Sequence, residues 1–136
     1  MKILYFGDPI ASIGQTFAEE AKYVKRYLKE FVFGTKKFKF VSTIDSLQPR
    51  NSIYDILIFD FGGIGLGASD TALSFSRYFL KLIEERPNTL FVAWTSFTTM
   101  YLKEECEKEL GKYPNLICRD TNQEIVINEI KEWIKN

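Results

Sequence analysis

The stretch Tyr54-Asp55-Ile56-Leu57-Ile58-Phe59-Asp60, running on into Phe61-Gly62-Gly63-Ile64-Gly65-Leu66-Gly67, decides how this chain is read. Its apolar part is continuous, whereas a strand with one wet face would alternate. Such a run needs cover on both faces. Thr89 to Trp94 has the same character. β-Branched and aromatic runs at Lys2 to Phe6, Phe38 to Thr43 and Asn115 to Cys118 bring the expected strands to five.

Helical periodicities lie between and after these runs. Phe17, Ala21, Val24, Leu28 and Phe31 share one helical face, with Lys22, Lys25, Arg26, Lys29 and Glu30 mostly elsewhere. A second stripe, Ala72, Phe75, Phe79, Leu82 and Ile83, opens at the capping residues Ser69 and Asp70 and stops at Pro87. Leu102, Cys106 and Leu110 suggest a third helix ending near Gly111. Thr121 with Glu124 forms a capping box for a last helix that buries Ile127, Ile130, Trp133 and Ile134. Alternating strands and helices predict an α/β three-layer αβα sandwich built on a five-stranded parallel sheet. The expected strand order is 2-1-3-4-5, the flavodoxin-like arrangement. Only Ile44 to Ile53 separates the second and third strands, and Pro49 divides that stretch, so the second helix is expected to shrink to a turn. Ten residues extended still reach roughly 33 Å, enough for a crossover.

A length of 136 residues suits one core, so a single domain over 1–136 is expected. Eighteen basic and eighteen acidic residues give no overall field toward nucleic acid or an anionic membrane, and neither partner is indicated. The run Ile3 to Phe6 is too short for a signal-peptide core or a membrane span, which points to the cytoplasm. Cys106 and Cys118 have neither disulfide-framework nor zinc-site spacing, and read as buried thiols. The chain has no His, which removes imidazole-based triads, His-ligated zinc and phosphohistidine relay.

Ligands of open parallel sheets sit beyond the carboxyl ends of the strands, where the strand order reverses. For the expected order that crevice lies between strands one and three, which end in Gly7-Asp8-Pro9 and in Asp60 to Gly67. Asp8 and Asp60 would meet there. Two hard carboxylates suit Mg²⁺, although each could instead cap a loop by accepting backbone N–H bonds. Gly62, Gly63, Gly65 and Gly67, with Ser69 ahead of the next helix, could hold the phosphate of a small phosphorylated ligand or nucleotide, or could simply make a turn. The spacing is neither a Walker loop nor a dinucleotide fingerprint.

These residues resemble the response-regulator receiver domain. Lys2 to Asp8 is similar to that family's first strand, with Asp8 matching the second acid of its acidic pair and Gly7 standing in place of the first. Tyr54 to Asp60 looks like the third strand, ending in the phosphoacceptor Asp60. Leu90 to Trp94 with Thr95-Ser96 resembles the fourth strand and its hydroxyl residue, and Leu116 to Arg119 the fifth, with Arg119 where the family has Lys. The resemblance implies a nucleophilic Asp60, Mg²⁺ held by Asp8 and Asp60, charge neutralisation by Arg119, and Thr95 bonding the aspartyl phosphate. Thr95 and Ser96 could equally terminate the strand and cap the next helix. The departures are specific. One acid is missing, Arg presents a planar fork in place of an ammonium, Asp120 occupies the family's Pro position, and the Met-Pro turn after the phosphoacceptor is absent. They imply a stand-alone receiver-like domain that acts through protein contacts, with phosphotransfer impaired or lost; the alternative is a binding protein or enzyme for a small phosphorylated molecule that uses the Gly62 to Gly67 loop.

Ser12-Ile13-Gly14-Gln15-Thr16 looks faintly like the flavodoxin phosphate loop, but Gln15 or Thr16 is explained by capping. Lys36-Lys37-Phe38-Lys39-Phe40 interleaves charge with aromatics, as nucleic-acid platforms do. A Lys-protected strand edge accounts for it more simply. Tyr23, Tyr27, Tyr78, Phe97, Tyr101 and Tyr113 are candidates for partial exposure. A protein partner or homodimer is expected on the face that carries Tyr101, Tyr113 and Trp133, rimmed by Lys103, Glu104, Lys108 and Glu109.

Overall fold

The computed structural model describes residues 1–7, 14–43, 48–60, 80–94, 113–118 and 123–135. Five strands, β1 (Lys2–Gly7), β2 (Lys39–Thr43), β3 (Ile56–Asp60), β4 (Leu90–Trp94) and β5 (Leu116–Cys118), form one sheet. Its order is β2-β1-β3-β4-β5, and every neighbouring pair is parallel. The expected order and strand positions are therefore observed, with bounds shifted by one or two residues.

One face of the sheet carries Ile3, Tyr5, Ile56, Ile58, Leu90, Val92 and Ile117. These pack with Ala21, Val24 and Leu28 of helix α1 (Gly14–Leu28) and with Val126, Ile127 and Ile130 of the last helix (Gln123–Lys135). The alternate residues Leu4, Phe6, Leu57, Phe91 and Leu116 are equally buried, so the opposite face is covered too. A sheet closed on both faces is what the continuous apolar runs require. Each such side chain removed from water contributes about 1.5–3 kcal/mol, which makes the three inner strands β1, β3 and β4 the energetic heart of the domain.

The short connection between β2 and β3 contains a single helical turn, α2 (Gln48–Asn51), with Pro49 buried. The second stripe is described only at helical residues 80–85, where Leu82 and Ile83 are buried. The remainder of that stripe, the helix read around Leu102 to Leu110, and Thr121 lie outside the described residues.

Two expectations need correction. Phe31 was placed on the buried face of the first helix, yet it is 44% exposed, and Phe33 is buried instead. The cause is a π-helical turn over Lys29–Phe33 that follows α1 directly. Its wider winding makes the neighbour of Leu28 along the buried face the residue five further on, Phe33, and not one three or four further on. In the last helix, Val126 joins Ile127 and Ile130 inside, whereas Trp133 and Ile134 are only half-buried.

Candidate functional site

Sheet order and register decide which strand ends meet. At the carboxyl end of the sheet Gly7 is the register partner of Asp60, and Asp60 of Trp94. Neighbouring strands lie about 4.8 Å apart, so the last residues of β1 and β3 stand side by side, with the next residue of the first strand's loop being Asp8. This is the point where the strand order reverses, since β1 is followed in space by β2 on one side and by β3 on the other. The backbone thus brings together the two chain segments that carry the expected acids. Gly7 has no positive φ, so its backbone is open to residues other than glycine.

The structure describes Asp60 as backbone only. Asp8, Gly62, Gly63, Gly65, Gly67, Ser69, Thr95 and Arg119 lie outside the described residues, as do Tyr78, Phe97 and Tyr101. Gly14, Gln15 and Thr16 form the first turn of α1, consistent with a helix start.

The amino end of the sheet shows a different chemistry, which sequence reading missed. Arg86 donates from Nη1 to the carbonyl oxygens of Pro49 (2.6 Å) and Ser52 (2.9 Å), and from Nη2 to that of Arg50 (2.8 Å). One guanidinium thereby caps the carboxyl end of α2, where backbone carbonyls lack helical partners. Buried Asn115 donates from Nδ2 to the carbonyls of Ile83, Arg86 and Thr89 at 3.0–3.1 Å. Buried Thr89 donates from Oγ1 to Tyr54 O at 2.7 Å. The Lys2 N–H donates to Asp55 Oδ2 at 2.7 Å, and the Lys2 ammonium lies 5.3 Å from the Tyr54 ring centroid. These contacts link residues 26 to 53 apart in sequence, and no local spacing announces them.

A groove of about 580 Å³ opens between β5 and the last helix. Tyr113, Pro114, Ile125, Glu129, Glu132 and Trp133 line it. The Tyr113 hydroxyl donates to Glu84 Oε2 at 3.2 Å, which fixes the ring at the rim. Of the aromatic residues read as partly exposed, Tyr23 is 39% exposed and Tyr27 and Tyr113 are half-buried. No helix among the described residues is long and apolar enough to cross a membrane. Comparison of the chain with protein-family models, with curated proteins and with solved structures finds no match.

Proposed function

We propose that this chain is a receiver-like interaction domain in which phosphotransfer to Asp60 is impaired or absent. The observation that carries the reading is the register pairing of Gly7 with Asp60 at the reversal point of a 2-1-3-4-5 parallel sheet. It supports a crevice in which the carboxylates of Asp8 and Asp60 share one space, an arrangement of oxygen donors that fits Mg²⁺. Bound there, the cation would neutralise charge on a phosphoryl group. Asp60 would attack the phosphorus of an acyl phosphate, forming an acyl phosphate on its own carboxylate as the donor's carboxylate leaves. Arg119 would offset the added charge and Thr95 would donate to the phosphoryl oxygens. With Gly7 in the place of the first acid and Arg119 in that of Lys, this chemistry is weakened. Association through the groove beside Tyr113 and Trp133 is then the working role, with another protein or a second copy as partner.

The test is intact-mass measurement after incubation with acetyl phosphate and Mg²⁺. Wild type is expected to gain little or no phosphoryl group, while Gly7→Asp combined with Arg119→Lys gains one that Asp60→Asn abolishes. Stoichiometric labelling of wild type would show a working receiver and end the impaired reading. No labelling of the restored variant would remove the receiver reading altogether.

A further inference from the structure

The overall charge balance conceals a local imbalance. Between positions 22 and 39 the chain has seven cations, Lys22, Lys25 and Arg26 on the first helix, Lys29 at the start of the π-helical turn, and Lys36, Lys37 and Lys39 on the following turn and strand, against one anion, Glu30. All eight are exposed. The other residues therefore hold eleven cations and seventeen anions, since the whole chain has eighteen of each. These residues carry a net charge of +6 in a protein whose total is zero, and the acids that precede them on the same helix are Glu19 and Glu20, one turn before Tyr23.

The fold gathers this charge in one place. The Gly34 N–H closes on Lys29 O at 2.8 Å with Gly34 at φ +57°, the Lys36 N–H on Phe33 O at 2.9 Å, and the Phe33 and Phe38 rings stack at 4.5 Å. The turn bearing Lys36 and Lys37 is thereby held against the end of the helix bearing Lys29. Lys39 then opens β2, which ends the sheet on this side.

Aromatic surface runs through the same patch. Tyr23, Tyr27 and Phe31 follow one another along the helix, with centroids 5.8 Å and 4.6 Å apart, and the Arg26 guanidinium lies 6.0 Å from the Tyr23 centroid. Tyr23 and Phe31 remain 39% and 44% exposed. The π-helical turn that carries Phe33 inside is the same feature that leaves Phe31 partly exposed, beside the Tyr27 ring.

We infer that the patch formed by Tyr23, Tyr27, Phe31 and the surrounding Lys and Arg residues binds single-stranded nucleic acid through its phosphates and base faces, the contacts that DNA and RNA strands share. Cations along the edge neutralise phosphates, and exposed rings accept unpaired bases without regard to sequence. A duplex keeps its bases stacked on one another and can use only the charges. An acidic protein segment would likewise leave the rings without a role. The site is separate from the crevice at Asp60, and its failure would leave that reading untouched.

The experiment is fluorescence anisotropy of labelled oligothymidylate and oligouridylate, each about twenty nucleotides long, titrated with the full chain at low salt. Both strands are expected to bind within a few-fold of each other, and more tightly than a duplex of the same length. Phe31→Ala should weaken binding roughly five- to hundredfold, the loss of about one stacked base. Lys36→Ser with Lys37→Ser should reduce the slope of log affinity against log salt by about 1.4. Circular dichroism melts of these exposed-site variants should match wild type. The inference is overturned by absence of binding to either strand, by a duplex or polyglutamate that competes as well as oligothymidylate, or by unchanged affinity in Phe31→Ala.

Discussion

The two ends of the sheet are made differently. At the amino end, long polar side chains bond backbone carbonyls: Arg86 holds three around α2, Asn115 another three, and Thr89 holds Tyr54. These bonds are made inside the chain. At the carboxyl end the sequence after β1 continues into Asp8, and after β3 into a run with glycine at 62, 63, 65 and 67, set between Phe61, Ile64 and Leu66. Parallel sheets keep the two ends distinct because every strand delivers its carboxyl end to the same side. Polar residues at one end then read as architecture and at the other as chemistry.

Asn115→Ala gives one of the two largest expected tests of that division. It removes the side-chain donor shared by the carbonyls of Ile83, Arg86 and Thr89, of which Arg86 O keeps the Thr89 N–H, and urea unfolding should show a loss of about 2 kcal/mol. A loss below about 0.5 kcal/mol would mean that the amino end is not held by this network. Arg86→Met keeps much of the apolar stem but removes three charge-assisted bonds, which are partly screened because the group is half-exposed. About 2 kcal/mol is expected, with amide exchange accelerated in Gln48–Asn51 before the sheet opens. Asp60→Asn should have the smallest effect on stability. On the proposed pairing of Asp60 with Asp8, it should be neutral, or stabilising by up to about 1 kcal/mol through relief of carboxylate repulsion. A clear destabilisation would assign Asp60 to the architecture and erase the contrast between the ends.

Much of this was legible in the residues themselves. Ile56 to Ile58 and Leu90 to Val92 are apolar without alternation because both faces of a central parallel strand are covered, and they are observed so. The interval from Ile44 to Ile53, divided by Pro49, is too short for a full helix, and among its described residues Gln48–Asn51 form one helical turn. The identities of the acids at the strand ends were visible as well. That Gly7 stands beside Asp60 follows only once the sheet order is known, because it depends on which strands pair.

The sequence by itself determined the class of fold, since burial pattern and alternation of elements are local properties that any packing must satisfy. Tertiary structure alone decided three further things. The π-helical turn exchanged Phe33 for Phe31 at the buried face, where Phe33 stacks on Phe38, a departure from ideal winding that the apolar spacing alone does not announce. The carbonyls that Arg86 and Asn115 satisfy lie 26 to 37 residues away, so their roles exist only when the chain is closed. The concentration of positive charge at one edge arises because Gly34 and the Phe33–Phe38 stack return the lysine-bearing turn to the end of the first helix, a proximity set by packing rather than by spacing along the chain.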